Sequence, residues 1–325
     1  MMDKNIIFHS NNLCERGVCV SIYDYAFYAR QYLNLNPIIV YDLKSDNLEE
    51  SVNHFRNQFE VIGYESFQEV QKLVDKRNID YFYAQKYGFK DEIIVKNSKN
   101  LIHSVFSRDL DQVHGDVYTF ISEWMSQQVD YKIPYVSYMI NLPSHQETYR
   151  EGFGIPKNAT VIGRYGGKET FNIDFVTKSI ENILQKREDI WFLFLNTEVK
   201  INHERCLYFD PVIDLHYKVQ FINTCDAFLH ARDYGETFGA SVLEFACKNK
   251  QIISYDNFDL QTNHPLGGRN HFLYLNQNCF SYKNQQELDD IFLNITRDNP
   301  FDTSYLNEKF SPQSVIKKFY EVFIK

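Results

Sequence analysis

Short apolar runs alternate with amphipathic stretches along nearly the whole chain. Residues 5–8 (NIIF) read as a first strand, and Ile22, Ala26, Ala29 and Leu33 then recur at helical spacing. A second strand is expected over 37–41 and a second helix over 48–59. Weaker strand patterns follow at 81–84, 101–106, 117–121 and 135–140. Residues 152–158 (GFGIPKN) are rich in helix and strand breakers, and they mark the expected domain boundary. The pattern then restarts, with strands over 160–163, 190–196, 207–209, 227–230 and 251–255. Helices are expected over 173–186, 215–225 and 238–248, with a last one over 312–323. Four- to seven-residue strands alternating with helices imply parallel sheets covered by helices on both faces. The expected fold is therefore α/β, with two doubly wound Rossmann-like domains over 1–155 and 156–325 facing across a cleft. Ligands in such folds sit beyond the carboxyl ends of the strands.

Composition narrows the functional classes. The chain has 325 residues, a length that suits about two domains. Apolar residues make up 44% and charged residues 24%, which is ordinary globular usage. Lys plus Arg number 34 against 43 Asp plus Glu, a net charge of −9. That balance lacks the footprint of a general nucleic-acid binder and the polybasic segment of an electrostatic membrane anchor. No apolar run approaches the roughly 20 residues that span a bilayer. Ile6-Ile7-Phe8 is too short for a signal-peptide core, so a cytoplasmic protein is expected. Cys14, Cys19, Cys206, Cys225, Cys247 and Cys279 form no CxxC and no zinc-site spacing with histidine, which predicts reduced, mostly buried thiols and no metal.

The strongest chemical signal is the stretch from Asp226 to Ser254, which reads strand, polar loop, helix, strand. Glu236 falls in the loop, Phe238 and Gly239 at the helix start with Ala240 just after, and Glu244 inside the helix. A carboxylate so placed can accept two hydroxyl hydrogen bonds, as carboxylates grip ribose diols. Gly239 lets a ligand approach backbone amides at a helix N-terminus, which favours anions. The plainer alternative makes Glu236 a helix-dipole partner and Glu244 a solvated helix residue. A second signal is Gly163-Arg164 at a strand end, followed by Gly166, Gly167 and Lys168. Arg offers a planar fork and Lys a point charge, a pair suited to phosphate oxygens. A P-loop is excluded, because its template needs glycine where Ile162 stands and Ser or Thr where Glu169 stands.

Glu236, Phe238, Gly239 and Glu244 resemble the E-x-F-G-x-x-x-x-E pattern of the retaining GT-B glycosyltransferases of the family-four type, which use nucleotide-sugar donors. The resemblance implies that Glu236 contacts the donor sugar and Glu244 the ribose. It also implies that Arg164 and Lys168 bind the donor diphosphate. Phe245, Ala246 and Cys247 stand where that family usually has small residues. Gly17, in the loop after the first strand, is similar to the family's glycine loop, although the usual double glycine is absent. The same resemblance makes His103 the candidate for a first-domain histidine at the donor sugar, with His114 its rival. Asp109-Leu110-Asp111 fits a metal-binding D-x-D, but the cations already serve the diphosphate and no metal role is expected.

The expected function is transfer of a hexose from a nucleotide-diphosphate sugar to a hydroxyl acceptor, with retention of configuration. The first domain would carry the acceptor and the second the donor, with the last helix crossing back to the first. No cofactor is expected beyond the nucleotide-sugar co-substrate, and no nucleic-acid partner. Peripheral membrane contact is left open by the sequence but is not indicated. The alternatives are a nucleotide-sugar epimerase or hydrolase on the same fold, and a non-catalytic nucleotide-sugar binding protein.

Overall fold

The computed structural model describes residues 4–325, and most of its strands are the apolar runs of the sequence. In chain order the first part holds β1 (Lys4–Ser10), α1 (Gly17–Leu33), β2 (Leu35–Asp42), α2 (Glu49–Arg56), β3 (Glu60–Tyr64), α3 (Phe67–Arg77), β4 (Tyr81–Lys86), β5 (Lys99–Ser104), β6 (Val117–Phe120) and α4 (Glu123–Gln127). The second part holds β7 (Thr160–Tyr165), α5 (Asp174–Lys186), β8 (Ile190–Leu195), β9 (Cys206–Phe209), α6 (Leu215–Thr224), β10 (Ala227–His230), β11 (Gly235–Glu236), α7 (Ala240–Cys247) and β12 (Gln251–Tyr255). It continues with α8 (Phe258–Asn263), β13 (Gly268–Arg269), α9 (Asn270–Leu275), β14 (Phe280–Tyr282), α10 (Gln285–Asn294) and α11 (Leu306–Lys309). The chain closes with α12 (Pro312–Phe319) and a π-helical turn, Tyr320–Ile324. No helix among the described residues is long and apolar enough to cross a membrane.

Each main sheet is six-stranded and wholly parallel. The orders are β3-β2-β1-β4-β5-β6 and β14-β12-β10-β7-β8-β9, the same doubly wound path twice. Central strands are covered on both faces, so they read as unbroken apolar runs rather than alternating ones. Ile6, Ile7 and Phe8 are fully buried, as are Ile190, Leu193 and Leu229 or nearly so. Helix ends are set locally. α1 and α3 stop at Asn34 and Asn78, both left-handed, and each returns its N–H to a carbonyl of the last turn.

The contacts divide the chain into two units, Met1–Met139 with Lys309–Lys325, and Ile140–Glu308. The sequence places the boundary at 155/156, and the structure moves it back to 139/140. The reason is polar. The segment before β7 fastens to the second unit: Arg150 pairs with Asp226 at 2.6 Å, and the Tyr149 N–H donates to Thr224 Oγ1 at 2.8 Å. Asn223 Nδ2 also donates to the His145 carbonyl at 2.8 Å. The last helix belongs to the first unit, where Phe319 and Phe323 are fully buried. Phe319 packs on Phe8, Tyr25 and Tyr83. Pro312 opens that helix behind the Ser311 cap, at a position where a missing N–H costs nothing.

The strand expected over 135–140 does not form. It makes a single parallel bridge, Phe120 with Tyr135. Its next carbonyls go to side chains instead of a ladder: Val136 accepts from His103 and Ser137 from the Tyr25 hydroxyl.

Candidate functional site

In the second unit the strand order reverses between β7 and β10, and their carboxyl ends form the crevice where doubly wound sheets bind ligands. Arg164 lies at the end of β7 and is 3% exposed. Its guanidinium donates to the Gly167 carbonyl at 2.9 Å, to the carbonyls of Gly166 and Asn196, and to the hydroxyls of Thr170 and Thr197. All are neutral oxygens. Burial lowers its pKa to about 10, against the opposing pull of Glu236. The site thus holds a desolvated positive charge whose two terminal nitrogens are engaged by its own loops. The planar fork expected at a diphosphate is here engaged by the protein's own oxygens, and it organises residues 166–170. Lys168 opens the exposed turn Lys168–Thr170 and takes no part in this network.

Across the crevice, β10 ends in His230 and the chain turns back through Arg232 to Glu236. Arg232 Nη1 donates to Glu236 Oε2 at 2.8 Å, and His230 Nε2 lies 3.4 Å from Oε1. Burial alone would raise this carboxyl, but Arg232 and the neighbouring imidazoles hold it at about 2. Glu236 is therefore an anion at any working pH, able to accept hydroxyl hydrogen bonds but unable to donate a proton. His230 Nδ1 lies 3.2 Å from the Ser254 hydroxyl, which lies 3.0 Å from His271 Nε2. Burial keeps His271 neutral, well below the usual imidazole range. Its Nδ1 has no partner.

Glu236 is aimed by its backbone. β11 pairs with β13 through Gly235 with Gly268 and Glu236 with Arg269. Gly235 has φ +66°, and a Cβ there would lie 2.2 Å from the Gly268 carbonyl oxygen. Gly239 caps α7 with φ +86°, and its added Cβ would press on Glu236 Cβ at 3.2 Å. Both positions demand glycine. Ala240 is the first residue of α7, directly after the Gly239 cap. Phe238 is buried, and its carbonyl is held by Asn270 Nδ2 at 2.9 Å, so it is a packing residue.

Glu244 is 7% exposed, which removes the solvated-helix alternative. Its Oε1 accepts from Lys218 Nζ at 3.0 Å, and its buried Oε2 has no partner. Burial would lower Lys218, but Glu244 and Tyr165 keep it raised and charged. A buried acceptor without a donor is costly unless a ligand supplies one.

The first-unit candidates are less favourable. His103 is fully buried, and both ring nitrogens are engaged by the protein itself. The Tyr83 hydroxyl donates to Nδ1 at 2.7 Å, and Nε2 donates to the carbonyls of Val136 and Phe120 at 2.9 and 3.1 Å. Burial lowers its pKa to about 4, so it is a neutral core histidine. His114 lies 3.1 Å from Lys86 Nζ, and Lys86 in turn pairs with Asp91. Asp109 caps a 3-10 turn by accepting from the Asp111 N–H at 3.0 Å, which is turn chemistry. Gly17 starts α1, exposed and with open space around it. Sequence reasoning missed Arg232, His230, Ser254, His271 and Lys218. Only His230 and Arg232 carried a signal, as polar residues closing a predicted strand just before Glu236.

No family model matches the chain, and no curated protein matches it. Solved structures do. A glycosyltransferase from Rickettsia africae ESF-5 aligns at a TM-score of 0.72 and 14% identity, over 99% of this chain and 98% of that one. Anabaena Alr3699/HepE, in complex with UDP and glucose, aligns at 0.70 and 12%, over 97% and 98%. WaaG, a glycosyltransferase involved in lipopolysaccharide biosynthesis, aligns at 0.63 and 9%, over 98% and 99%. The fold is the GT-B fold, two Rossmann-like domains in one chain.

Proposed function

We propose that the chain is a retaining GT-B glycosyltransferase of the family-four type, moving a hexose from a nucleotide-diphosphate sugar to a hydroxyl acceptor. The observation that carries this reading is the convergence, beyond the carboxyl ends of β7 and β10, of the buried Arg164 and the Glu236 carboxylate, whose charge acts on Arg164. Glu236 orients the donor sugar by accepting its hydroxyls. The Arg164 charge and the first-turn amides of α7 stabilise the diphosphate as it leaves, which is where negative charge grows. Glu244 Oε2 accepts from the ribose, while Oε1 accepts from Lys218. Lys168, exposed on the turn after β7, supplies the second cation for the diphosphate. The cations carry the role that a metal would otherwise fill. The first unit, with the loop that holds Gly17, takes the acceptor. Proton transfer goes from the acceptor hydroxyl to the departing phosphate on the same face of the sugar, so the anomeric configuration is kept.

The test is donor turnover with a panel of nucleotide sugars, beginning with UDP-glucose, followed by proton NMR with EDTA present. The reading predicts slow hydrolysis to sugar in the donor's own anomeric configuration, and faster donor consumption, with a glycoside of that configuration formed, when a hydroxyl acceptor is present. Inversion would refute retention. A nucleotide-linked epimer without acceptor would establish the epimerase, and rapid acceptor-independent release the hydrolase. Binding without turnover would establish the binding protein.

A further inference from the structure

The junction of β1 and α1 brings two thiols into contact. Cys14 Sγ and Cys19 Sγ are 3.5 Å apart, closer than non-bonded sulfurs need be. Cys14 lies two residues before the N-cap of α1 and Cys19 lies in the first turn of that helix, so the helix start folds one back over the other. The contact is fixed from both sides: the Cys14 N–H donates to Cys19 Sγ at 3.3 Å, and Cys19 Sγ donates to the Asn12 carbonyl at 3.2 Å. The Ser10 hydroxyl approaches the same sulfur at 3.9 Å. The two sulfurs differ in access. Cys14 is half-buried, whereas Cys19 is 2% exposed. They also differ in acidity. The Cys19 thiol and the Arg16 backbone N–H pull Cys14 down to about 7, while Cys19 is pushed well above the usual thiol range.

We propose that Cys14 and Cys19 form a dithiol–disulfide modification site, with Cys14 the thiol attacked by a hydroperoxide and Cys19 the resolving thiol. In the first step the Cys14 thiolate attacks the distal peroxide oxygen. An S–O bond forms, the O–O bond breaks, and the leaving oxygen takes a proton as water or alcohol. In the second step Cys19 sulfur attacks the Cys14 sulfenic sulfur. The S–S bond forms, the S–O bond breaks, and the Cys19 proton leaves with the hydroxide as a second water. Two thiols lose one electron each, and the peroxide gains both. The sulfurs must approach from 3.5 Å to about 2.04 Å for the bond to form. The product would pin the loop after β1 to the first turn of α1, at the carboxyl end of a strand that borders the first unit's own switch point.

The experiment needs no substrate, so its outcome is independent of the proposed transferase activity. The intact chain is exposed to hydrogen peroxide, its remaining thiols are blocked with N-ethylmaleimide, and it is digested with trypsin. Arg16 stands between the two cysteines, so trypsin separates them unless a disulfide joins the peptides. The expected result is a linked Cys14–Cys19 pair, formed with loss of two of the six thiols and reversed by dithiothreitol. In Cys19→Ser the Cys14 sulfenic acid persists and is trapped by dimedone. In Cys14→Ser thiol loss stops. Formation in the native chain should outpace that in the urea-unfolded chain by about tenfold or more, because the fold holds the sulfurs together. Free Cys14 and Cys19 after treatment, a disulfide between two molecules, or equal rates in the native and unfolded chains would overturn the proposal.

Discussion

Glu244 joins two requirements in one side chain. One oxygen neutralises buried Lys218, and the other is left for a ligand. Glu244→Ala alone therefore removes a buried partner as well as a binding group, and a cost of about 3–5 kcal/mol in urea unfolding is expected. The double variant Glu244→Gln/Lys218→Met removes both charges together. It should recover most of that stability yet still lose nucleotide affinity by calorimetry. Unchanged affinity in a folded double variant would remove Glu244 from the ribose. At Glu236 the carboxylate is already held at about 2, so Glu236→Ala removes an anion rather than an acid. Glu236→Ala and Arg164→Ala should each reduce transfer by about 2–4 kcal/mol in transition-state terms, measured as kcat/KM. Activity within twofold of the unaltered protein in both variants would refute the assignment. Arg164→Ala should also lower the melting temperature, because residues 166–170 and 196–197 hang on its guanidinium.

The elements that sequence patterning reveals are those buried on both faces. β1, β7, β8, β10 and β12 read as continuous apolar runs because helices cover both sides. β3 and β14 lie at sheet edges, with partly buried residues and only short apolar content, and no pattern announced them. Glu236 and Glu244 were legible because their spacing around Gly239 is local. The His230–Ser254–His271 chain was not, because it joins three elements that only tertiary packing brings together. His103 misled for a related reason: a strand-end histidine looks the same whether it faces a ligand or a neighbouring backbone. Its real role is to fasten residues 134–138 to β5 and β6. That role has a pH signature. The unfolded imidazole protonates near 6.5, whereas the folded one resists until about 4. The stability it contributes is complete above pH 6.5 and is lost as pH falls toward 4, by roughly 3 kcal/mol. Urea unfolding across that window should show the slope, and His103→Gln should reduce it. The slope should not vanish, because burial holds His9 at about 3 in the same sheet. An identical slope in His103→Gln would contradict the account.

On the scale of the whole molecule, the second unit is one continuous stretch and the first is closed by the chain's last residues. Residues 140–308 should thus fold alone, with a cooperative melt, whereas removing residues 309–325 should unfold the first unit selectively. Phe319 and Phe323 are both fully buried there, and loss of a buried Phe costs about 3–5 kcal/mol. Circular dichroism and calorimetry of the two truncations check this; a truncation at 308 that melts like the full chain would contradict it. The central claim, that the second unit grips a nucleotide-sugar donor, is tested most directly by thermal shift. The full chain and the Glu244→Gln/Lys218→Met variant would be screened against UDP, GDP, ADP, TDP and CMP and their sugars, with and without EDTA. A ligand at a hundredfold excess over its Kd stabilises the folded state by about 2.7 kcal/mol. The account predicts a clear upward shift with one nucleotide family, insensitive to EDTA and absent in the double variant. No shift with any nucleotide, or an equal shift in the double variant, would contradict it.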